Sequence, residues 1–199
     1  MKPLFVFDLD STITRCELLP LIARSVGLED EMARRTEAAM GSELPFAQSF
    51  SRRVELLKEV PVSRARAIAA GAALNGEIAR FLREYPQRCM ILTGNLDVWI
   101  EDLVDRLGMR GRCLCSRALV REDRLEGIAE ILDKAKACEG LPRPFVAIGD
   151  GSNDIGMLRR ADLGIAFGGV RTLCEGMIAA ADRVITDEKQ LVSLLESLL

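Results

Sequence analysis

The sequence contains no histidine among its 199 residues. This absence excludes Ser–His and Cys–His nucleophile pairs and every metal site with imidazole ligands. Acid–base chemistry near neutral pH must then come from carboxylates, lysine, tyrosine or cysteine. A metal ion would be held by oxygen ligands, which suit Mg²⁺.

Long apolar runs and a strong net charge are also missing. No run approaches the roughly 18–20 residues of a membrane span, and the apolar stretch at the N-terminus stops at Asp8, too early for a signal-peptide core. The formal net charge of −3 offers no basic surface for nucleic acid or anionic membrane. We therefore expect a cytoplasmic protein without nucleic-acid or membrane partners, and with its six scattered cysteines reduced.

The first strong pattern is the apolar run Leu4-Phe-Val-Phe7, which is typical of a strand buried on both faces. From residue 76 onward helical and strand patterns alternate, which favours a parallel sheet covered by helices. We predict an α/β fold with a Rossmann-like parallel sheet sandwiched by helices. Residues 15–75 show helical spacing without a good strand, so we predict an all-helical cap inserted after the first strand. The α/β core then comprises residues 1–14 and 76–199.

Within the core, the periodicity predicts individual elements. A two-stranded hairpin is expected from Ala118 to Leu125, with its turn at Glu122-Asp123. The predicted strands span residues 88–92, 112–115, 144–148, 163–166 and 183–185. The predicted helices span residues 77–84, 97–107, 128–138, 152–160, 171–180 and 188–199.

Polar side chains follow three of the predicted strands. They are Asp8, Asp10, Ser11 and Thr12 after the first strand, Thr93, Gly94 and Asn95 after the second, and Asp150, Asn153 and Asp154 after a third. Ligands of parallel sheets bind beyond the carboxyl ends of the strands, and residues two apart on an extended chain project to the same side. We therefore expect these side chains to form one site.

The residue types in this site indicate phosphoryl chemistry. The four aspartates form an oxygen-ligand set suited to Mg²⁺, and a hydroxyl beside a glycine, as in Thr93-Gly94, suits a phosphate oxygen. A lysine, either Lys134 or Lys136, could add a point charge for the same anion. Nucleophilic carboxylate, metal, hydroxyl and lysine are the components of phosphoryl transfer through an aspartyl-phosphate.

These motifs and their order resemble those of the haloacid dehalogenase (HAD) superfamily. Within it, the sequence resembles the phosphoserine phosphatase family, which has a glutamate nine residues after the nucleophile, as Glu17 follows Asp8 here. The helical segment also carries Met40-Gly41, then Phe46, then Arg53-Val54, in the order found in that family's cap. The resemblance implies a Mg²⁺-dependent phosphomonoester hydrolase acting on O-phosphoserine or a related small phospho-amino acid.

The resemblance also implies roles for individual residues. Asp8 would attack phosphorus, and Asp10 would protonate the leaving alcohol and then activate water. The catalytic set would be Asp8, Asp10, Thr93 and Lys134. The metal set would be Asp8, Asp10 (through its backbone carbonyl), Asp150 and Asp154. Phosphate would be bound by Ser11, Thr12, Thr93, Gly94, Lys134 and Asn153. The substrate would be bound by Glu17, Met40, Gly41, Phe46, Arg53 and Asn95.

Two features depart from the family pattern and leave the substrate open. The second motif is Thr93-Gly94-Asn95, where the relatives usually have Ser-Gly-Gly, and only sixteen residues separate Lys134 from Asp150. Asn95 could narrow the pocket or supply a new hydrogen bond. The alternatives are a phosphatase or phosphotransferase for another small phosphorylated metabolite, and a non-catalytic HAD-fold binding domain.

Overall fold

The computed structural model describes residues 2–34 and 45–199. The strands are β1 (Leu4–Phe7), β2 (Cys89–Leu96), β3 (Cys113–Arg121), β4 (Arg124–Glu130), β5 (Phe145–Gly149), β6 (Leu163–Phe167) and β7 (Arg183–Ile185). The helices are α1 (Leu18–Arg24), α2 (Phe46–Leu56), α3 (Val62–Ala70), α4 (Gly76–Glu84), α5 (Asp97–Arg106), α6 (Lys134–Ala137), α7 (Ile155–Arg160), α8 (Glu175–Ala180) and α9 (Glu188–Ser197). Short 3₁₀ turns cover Pro86–Arg88, Cys138–Gly140 and Ser152–Asp154.

The strands form one seven-stranded sheet in the order β4-β3-β2-β1-β5-β6-β7. Neighbouring strands are parallel except β3 and β4, which pair antiparallel. Strand β1 therefore lies at the centre, between β2 and β5. This arrangement brings the carboxyl ends of the three strands together at one edge, where the sequence had placed the polar motifs.

Both faces of the sheet are covered, as alternation along β1 shows. Phe5 and Phe7 belong to one buried cluster, and Phe5 meets Phe81 of α4 edge to face with ring centroids 5.2 Å apart. Val6 points to the other face, into a cluster that contains Met157 of α7 and Met177 of α8. Because successive strand residues face opposite sides, this strand is buried on both, and the predicted α/β sandwich is confirmed.

The two ends of the segment between β1 and α4 lie side by side. Backbone hydrogen bonds join Arg15 N to Ala73 O at 2.8 Å and Asn75 N to Ile13 O at 2.9 Å. Helix α3 packs against α1 and against the core helix α5. The turn of the β3–β4 hairpin contacts the start of α3, where Ser63 N donates to Asp123 Oδ1 at 2.8 Å. None of the described helices is long and apolar enough to cross a membrane.

Three predicted elements differ from the structure. Residues 128–138 are not one helix: β4 continues to Glu130, and only Lys134–Ala137 are α-helical. The spacing of Ile128, Ile131 and Leu132 suits a helix, but pairing with β3 decides the conformation, and Ala118 opposes Ile128. The second strand does not stop at residue 92; it continues to Leu96 and includes Thr93-Gly94-Asn95. The helix predicted from residue 171 begins at Glu175. The turn at Glu122-Asp123 is confirmed, with both residues at positive φ.

Candidate active site

The chain turns sharply after β1 and folds the first motif over the sheet edge. Asp8 N donates to Ile148 O at 2.8 Å, which extends the pairing of β1 and β5 by one residue. Ser11 then adopts a positive φ of 53°, and its N–H donates to Thr14 Oγ1 at 3.3 Å. A non-glycine residue in this region is unusual. The turn places Asp10 beside the start of α1, where Leu18 N donates to Asp10 Oδ1 at 2.7 Å.

Three aspartates form a buried acidic cluster at this edge. Carboxylate oxygens of Asp8, Asp150 and Asp154 all lie within 4.8 Å of one another. Thr12 Oγ1 donates to Asp150 Oδ1 at 3.3 Å, and Asp154 Oδ2 accepts from the N–H groups of Asp150 and Gly151 at 3.1 and 3.0 Å. A Cβ at Gly149 would lie 2.5 Å from Asp154 Cγ, so this position requires glycine.

Two cations contact the cluster. Lys134 Nζ donates to Asp8 Oδ1 and, at 2.5 Å, to Asp154 Oδ1, and its side chain is 2% exposed. Arg171 forms an ion pair with Asp150 and donates from Nη2 to the carbonyl oxygen of Asp150 at 3.2 Å. Lys136 is exposed on the same short helix as Lys134. The geometry therefore places Lys134 in the site and leaves Lys136 outside it.

The cluster has more negative charge than these two cations neutralise. Burial raises the pKa of Asp8 to about 7, even though Lys134 lowers it. Burial, and then the charge of Asp8, raise the pKa of Asp150 well above its usual value. Burial lowers the pKa of Lys134, but Asp154 and Asp8 outweigh it and leave that pKa raised. A further positive charge between the carboxylates would relieve the repulsion, and an oxygen-only donor set fits Mg²⁺.

Asp10 lies beside this cluster and is held by β2. Asn95 Nδ2 donates to Asp10 Oδ2, and Asn95 also donates to Thr93 Oγ1, from its backbone N at 3.2 Å and from Nδ2 at 3.3 Å. Burial, together with the charges of Glu17 and Asp8, raises the pKa of Asp10 well above its usual value. A carboxyl group with a raised pKa can donate a proton near neutral pH.

The helical segment adds charged residues to the same region. Glu17 Oε1 accepts from Ser11 Oγ at 3.2 Å and faces Arg171 Nη1 at 3.5 Å. Arg53 is 7% exposed, and its Nε has no hydrogen-bond partner among the residues that the structure describes. Burial lowers the pKa of Arg53, against the charges of Glu17 and Asp10. A buried guanidinium donor without a partner is costly, and the described residues supply no acceptor for Arg53 Nε.

Phe46 and Asn153 line the entrance of the site. A cavity of about 300 Å³ is lined by Phe46, Ala47, Ile131, Leu132, Asp133, Lys134 and Asn153. The Phe46 ring lies against the backbone of Gly94, where a Cβ would be 2.4 Å from Phe46 Cζ. Glycine at position 94 thus allows an aromatic side chain from α2 to contact the motif that the sequence predicts to bind phosphate. Met40 and Gly41, also predicted to bind substrate, lie outside the described residues.

Arg171 is the residue that the sequence reasoning missed. It follows β6 in the loop Gly168-Gly169-Val170-Arg171, and β6 is parallel to β5. Ligands of parallel sheets bind beyond the carboxyl ends of the strands, and this applies to the end of β6 as it does to the ends of β1, β2 and β5. Applying this rule to β6 would have identified Arg171.

Comparison with known proteins gives consistent matches. A family model described as haloacid dehalogenase-like hydrolase matches residues 5–159, and a second model of the same description matches residues 131–193. The chain is 33% identical over 181 residues to a phosphoserine phosphatase of Methanocaldococcus jannaschii, covering 83% of this chain and 85% of the relative. It is 32% identical over 205 residues to a phosphoserine phosphatase of Halobacterium salinarum, covering 92% and 97%.

Solved structures show the same similarity to phosphoserine phosphatases. A phospho-aspartyl intermediate analogue of phosphoserine phosphatase superposes with a TM-score of 0.80 at 28% identity, covering 97% of this chain and 98% of the other. A substrate-bound phosphoserine phosphatase complex superposes with a TM-score of 0.81 at 27% identity, covering 98% of both chains.

Proposed function

Because this chain belongs to the haloacid dehalogenase-like hydrolases, of the phosphoserine phosphatase type, we propose that it releases phosphate from O-phosphoserine or a closely related phospho-amino acid. The observation that carries the proposal is the buried cluster of Asp8, Asp150 and Asp154 with Lys134, close to Glu17 and Arg53, whose charges act on one another. The cluster supplies phosphoryl chemistry, and Glu17 and Arg53 supply charges of both signs for an amino acid.

We propose that Asp8 is the nucleophile. Its carboxylate oxygen attacks phosphorus and the ester bond to the leaving alkoxide breaks, which leaves an aspartyl-phosphate. Asp10 gives its proton to that alkoxide, and its carboxylate then takes a proton from the water that hydrolyses the intermediate. The burial and the like-charged neighbours that raise the pKa of Asp10 keep this proton available near neutral pH.

Three groups would stabilise the transferring phosphoryl group. Lys134 provides a fixed cation at the nucleophile, and Thr93 and Gly94 provide a hydroxyl and backbone N–H groups on β2. Such donors act strongly because the site is buried. Ser11, Thr12 and Asn153 complete the polar lining that the sequence predicts around the phosphate.

We propose Mg²⁺ as the cation of this site, held by the carboxylates of Asp8, Asp150 and Asp154 with the backbone carbonyl of Asp10. When bound, it would neutralise charge that develops on the phosphoryl oxygens. The raised pKa values of Asp8 and Asp150 support this assignment, because the burial and the like-charged neighbours that raise them also favour a bound cation.

We further propose that residues 15–75 form a cap over the α/β core, and that the cap selects the substrate. Glu17 would bind the ammonium group and Arg53 the carboxylate, while Phe46 covers the bound ester beside Gly94. Arg53 supports this role because a substrate carboxylate would satisfy its Nε, which has no hydrogen-bond partner within residues 2–34 and 45–199. The cytoplasmic location and the absence of nucleic-acid and membrane partners stay predictions.

Phosphate release from a panel of small monoesters in the presence of Mg²⁺ tests the proposal. O-phosphoserine should be preferred over phosphoethanolamine, which lacks the carboxylate, and over a glycerol phosphate, which lacks the ammonium group. Arg53→Ala should raise KM for phosphoserine at least about tenfold, the cost of one charged hydrogen bond, and should leave phosphoethanolamine nearly unaffected. Glu17→Ala should weaken the binding of both esters that carry an amino group, phosphoserine and phosphoethanolamine. Equal turnover of all esters by the wild-type protein would reject the amino-acid substrate.

A further inference from the structure

Asn95 makes an unusual number of hydrogen bonds to the reacting groups. It is 3% exposed, and it stands where the family that the sequence resembles usually has glycine. Its side-chain amide has two N–H groups. One donates to Asp10 Oδ2 and the other to Thr93 Oγ1 at 3.3 Å. A single side chain therefore joins the proposed acid–base group to the proposed phosphate-binding hydroxyl.

The contact with Thr93 fixes the direction of its hydroxyl proton. A threonine hydroxyl has one O–H and two lone pairs. Both lone pairs are used by Asn95, through its backbone N–H at 3.2 Å and its amide N–H at 3.3 Å. The O–H must therefore point away from Asn95, as a donor to another acceptor. At the sheet edge beside Asp8, a phosphoryl oxygen would be that acceptor.

The contact with Asp10 fixes the carboxyl plane. Leu18 N donates to Oδ1 at 2.7 Å, and Asn95 donates to Oδ2. The two donors come from different elements, one from the first turn of α1 and one from β2. A carboxyl group held at both oxygens cannot rotate about χ2 without breaking a partly buried hydrogen bond, so its remaining lone pairs keep a constant direction.

We propose that Asn95 is a positioning residue that holds Asp10 and the Thr93 hydroxyl in the orientations needed for proton donation and phosphate binding. This inference rests on the proposed phosphatase function. The proposal has a specific consequence. Loss of Asn95 should lower kcat/KM most for substrates whose leaving group needs a proton.

Two variants remove the amide donors. Asn95→Ala removes the amide without adding volume, and Asn95→Leu replaces it by a somewhat bulkier apolar group with the same number of heavy atoms. Each is compared with the wild-type protein on O-phosphoserine, whose alkoxide must be protonated, and on p-nitrophenyl phosphate, whose phenolate leaves without a proton. The quantity measured is kcat/KM, which reports the first half-reaction.

General acid catalysis contributes about 10²–10⁴-fold, so we expect the phosphoserine value to fall about 10²-fold. The ratio of the phosphoserine value to the nitrophenyl value should fall at least about tenfold. A purely structural role would lower both values together and leave the ratio unchanged, and that result would overturn the proposal, as would full activity of either folded variant. If Asn95→Leu does not fold, Asn95→Ala decides.

A second measurement does not depend on activity. The side-chain amide protons of Asn95, followed by NMR, should exchange slowly with solvent in the wild-type protein and faster in Asp10→Ala. Fast exchange in the wild type would overturn the inference even if the enzyme is active. Absence of phosphate release by the wild type from every ester would reject the proposed function instead, and slow exchange would still support the geometry of Asn95.

Discussion

Lys134 offers the sharpest test of the charge balance in the site. Its ammonium group contacts Asp8 and Asp154, and its side chain is only 2% exposed. At an effective dielectric constant of about 20, each ion pair contributes about 4 kcal/mol at 4 Å, and desolvation of the buried charges offsets much of this. Removing one partner of a buried ion pair costs about 3–5 kcal/mol, so Lys134→Met should lower the free energy of unfolding by that amount.

The loss should depend on pH with a defined sign. Without the lysine, the pKa of Asp8 rises further, because Lys134 is the group that lowers it most in the folded protein. As the pH falls through this raised value, Asp8 takes up a proton and no longer needs a counter-charge. The destabilisation should therefore be largest at about pH 8 and smaller at about pH 5.

Urea unfolding in the presence of EDTA measures this effect, with the fluorescence of the single tryptophan, Trp99, as the signal; its side chain is 1% exposed. Lys136→Met is the matched control, since Lys136 is exposed on the same helix and should change stability by less than about 0.5 kcal/mol. Equal stability of the two variants at about pH 8 would refute the argument. With Mg²⁺, Lys134→Met should also lower kcat/KM for phosphoserine about 10²–10³-fold.

Two further predictions concern the same edge of the sheet. The pKa of Asp8 is about 7 in the folded protein, against its usual 3.8 in the unfolded chain. As the pH rises between these two values, only the unfolded chain ionises at this group. The free energy of unfolding of the metal-free protein should therefore fall by about 4 kcal/mol over this range. Calorimetry should show that Asp8→Asn lacks this loss and that Mg²⁺ reverses it in the wild type; an identical pH dependence of the two proteins would contradict the assignment. Gly94→Ala should displace the Phe46 ring, because the added Cβ would lie 2.4 Å from Cζ. Its KM for phosphoserine should rise several-fold with little change in melting temperature, and an unchanged KM would separate Phe46 from substrate binding.

The arrangement of the main motifs could be predicted because it follows from strand ends alone. The apolar runs of β1 and β5 identify strands buried on both faces, and parallel strands place their carboxyl ends at one edge. Asp8 and Asp150 directly follow these two strands. Their proximity needs no knowledge of side-chain packing, which is why one sequence suffices to locate the acidic cluster.

The failures arise where a distant contact decides the local conformation. Residues 93–95 continue β2 instead of forming a loop, and Ser116 of β3 accounts for this: its Oγ donates to Gly94 O at 2.7 Å and accepts from Leu132 N at 3.0 Å. The same hydroxyl thus holds the second motif in the sheet and fixes the chain just before Lys134. Local periodicity carries no information about such a bond, so the sequence pattern predicts the wrong conformation for residues 93–95 and for residues 128–133.

Two residues join parts of the site that the sequence motifs identify only separately. Arg171 contacts both Asp150 and Glu17, which the sequence assigns to the metal site and to the substrate pocket. Asn95 contacts Asp10 and Thr93, which belong to different motifs. Arg171 and Asn95 therefore each connect two groups that the sequence predicts individually but does not place relative to one another. Motifs define which groups react, whereas coupling residues such as these hold them in the relative positions that catalysis requires, since small misplacements of reacting groups cost large factors in rate.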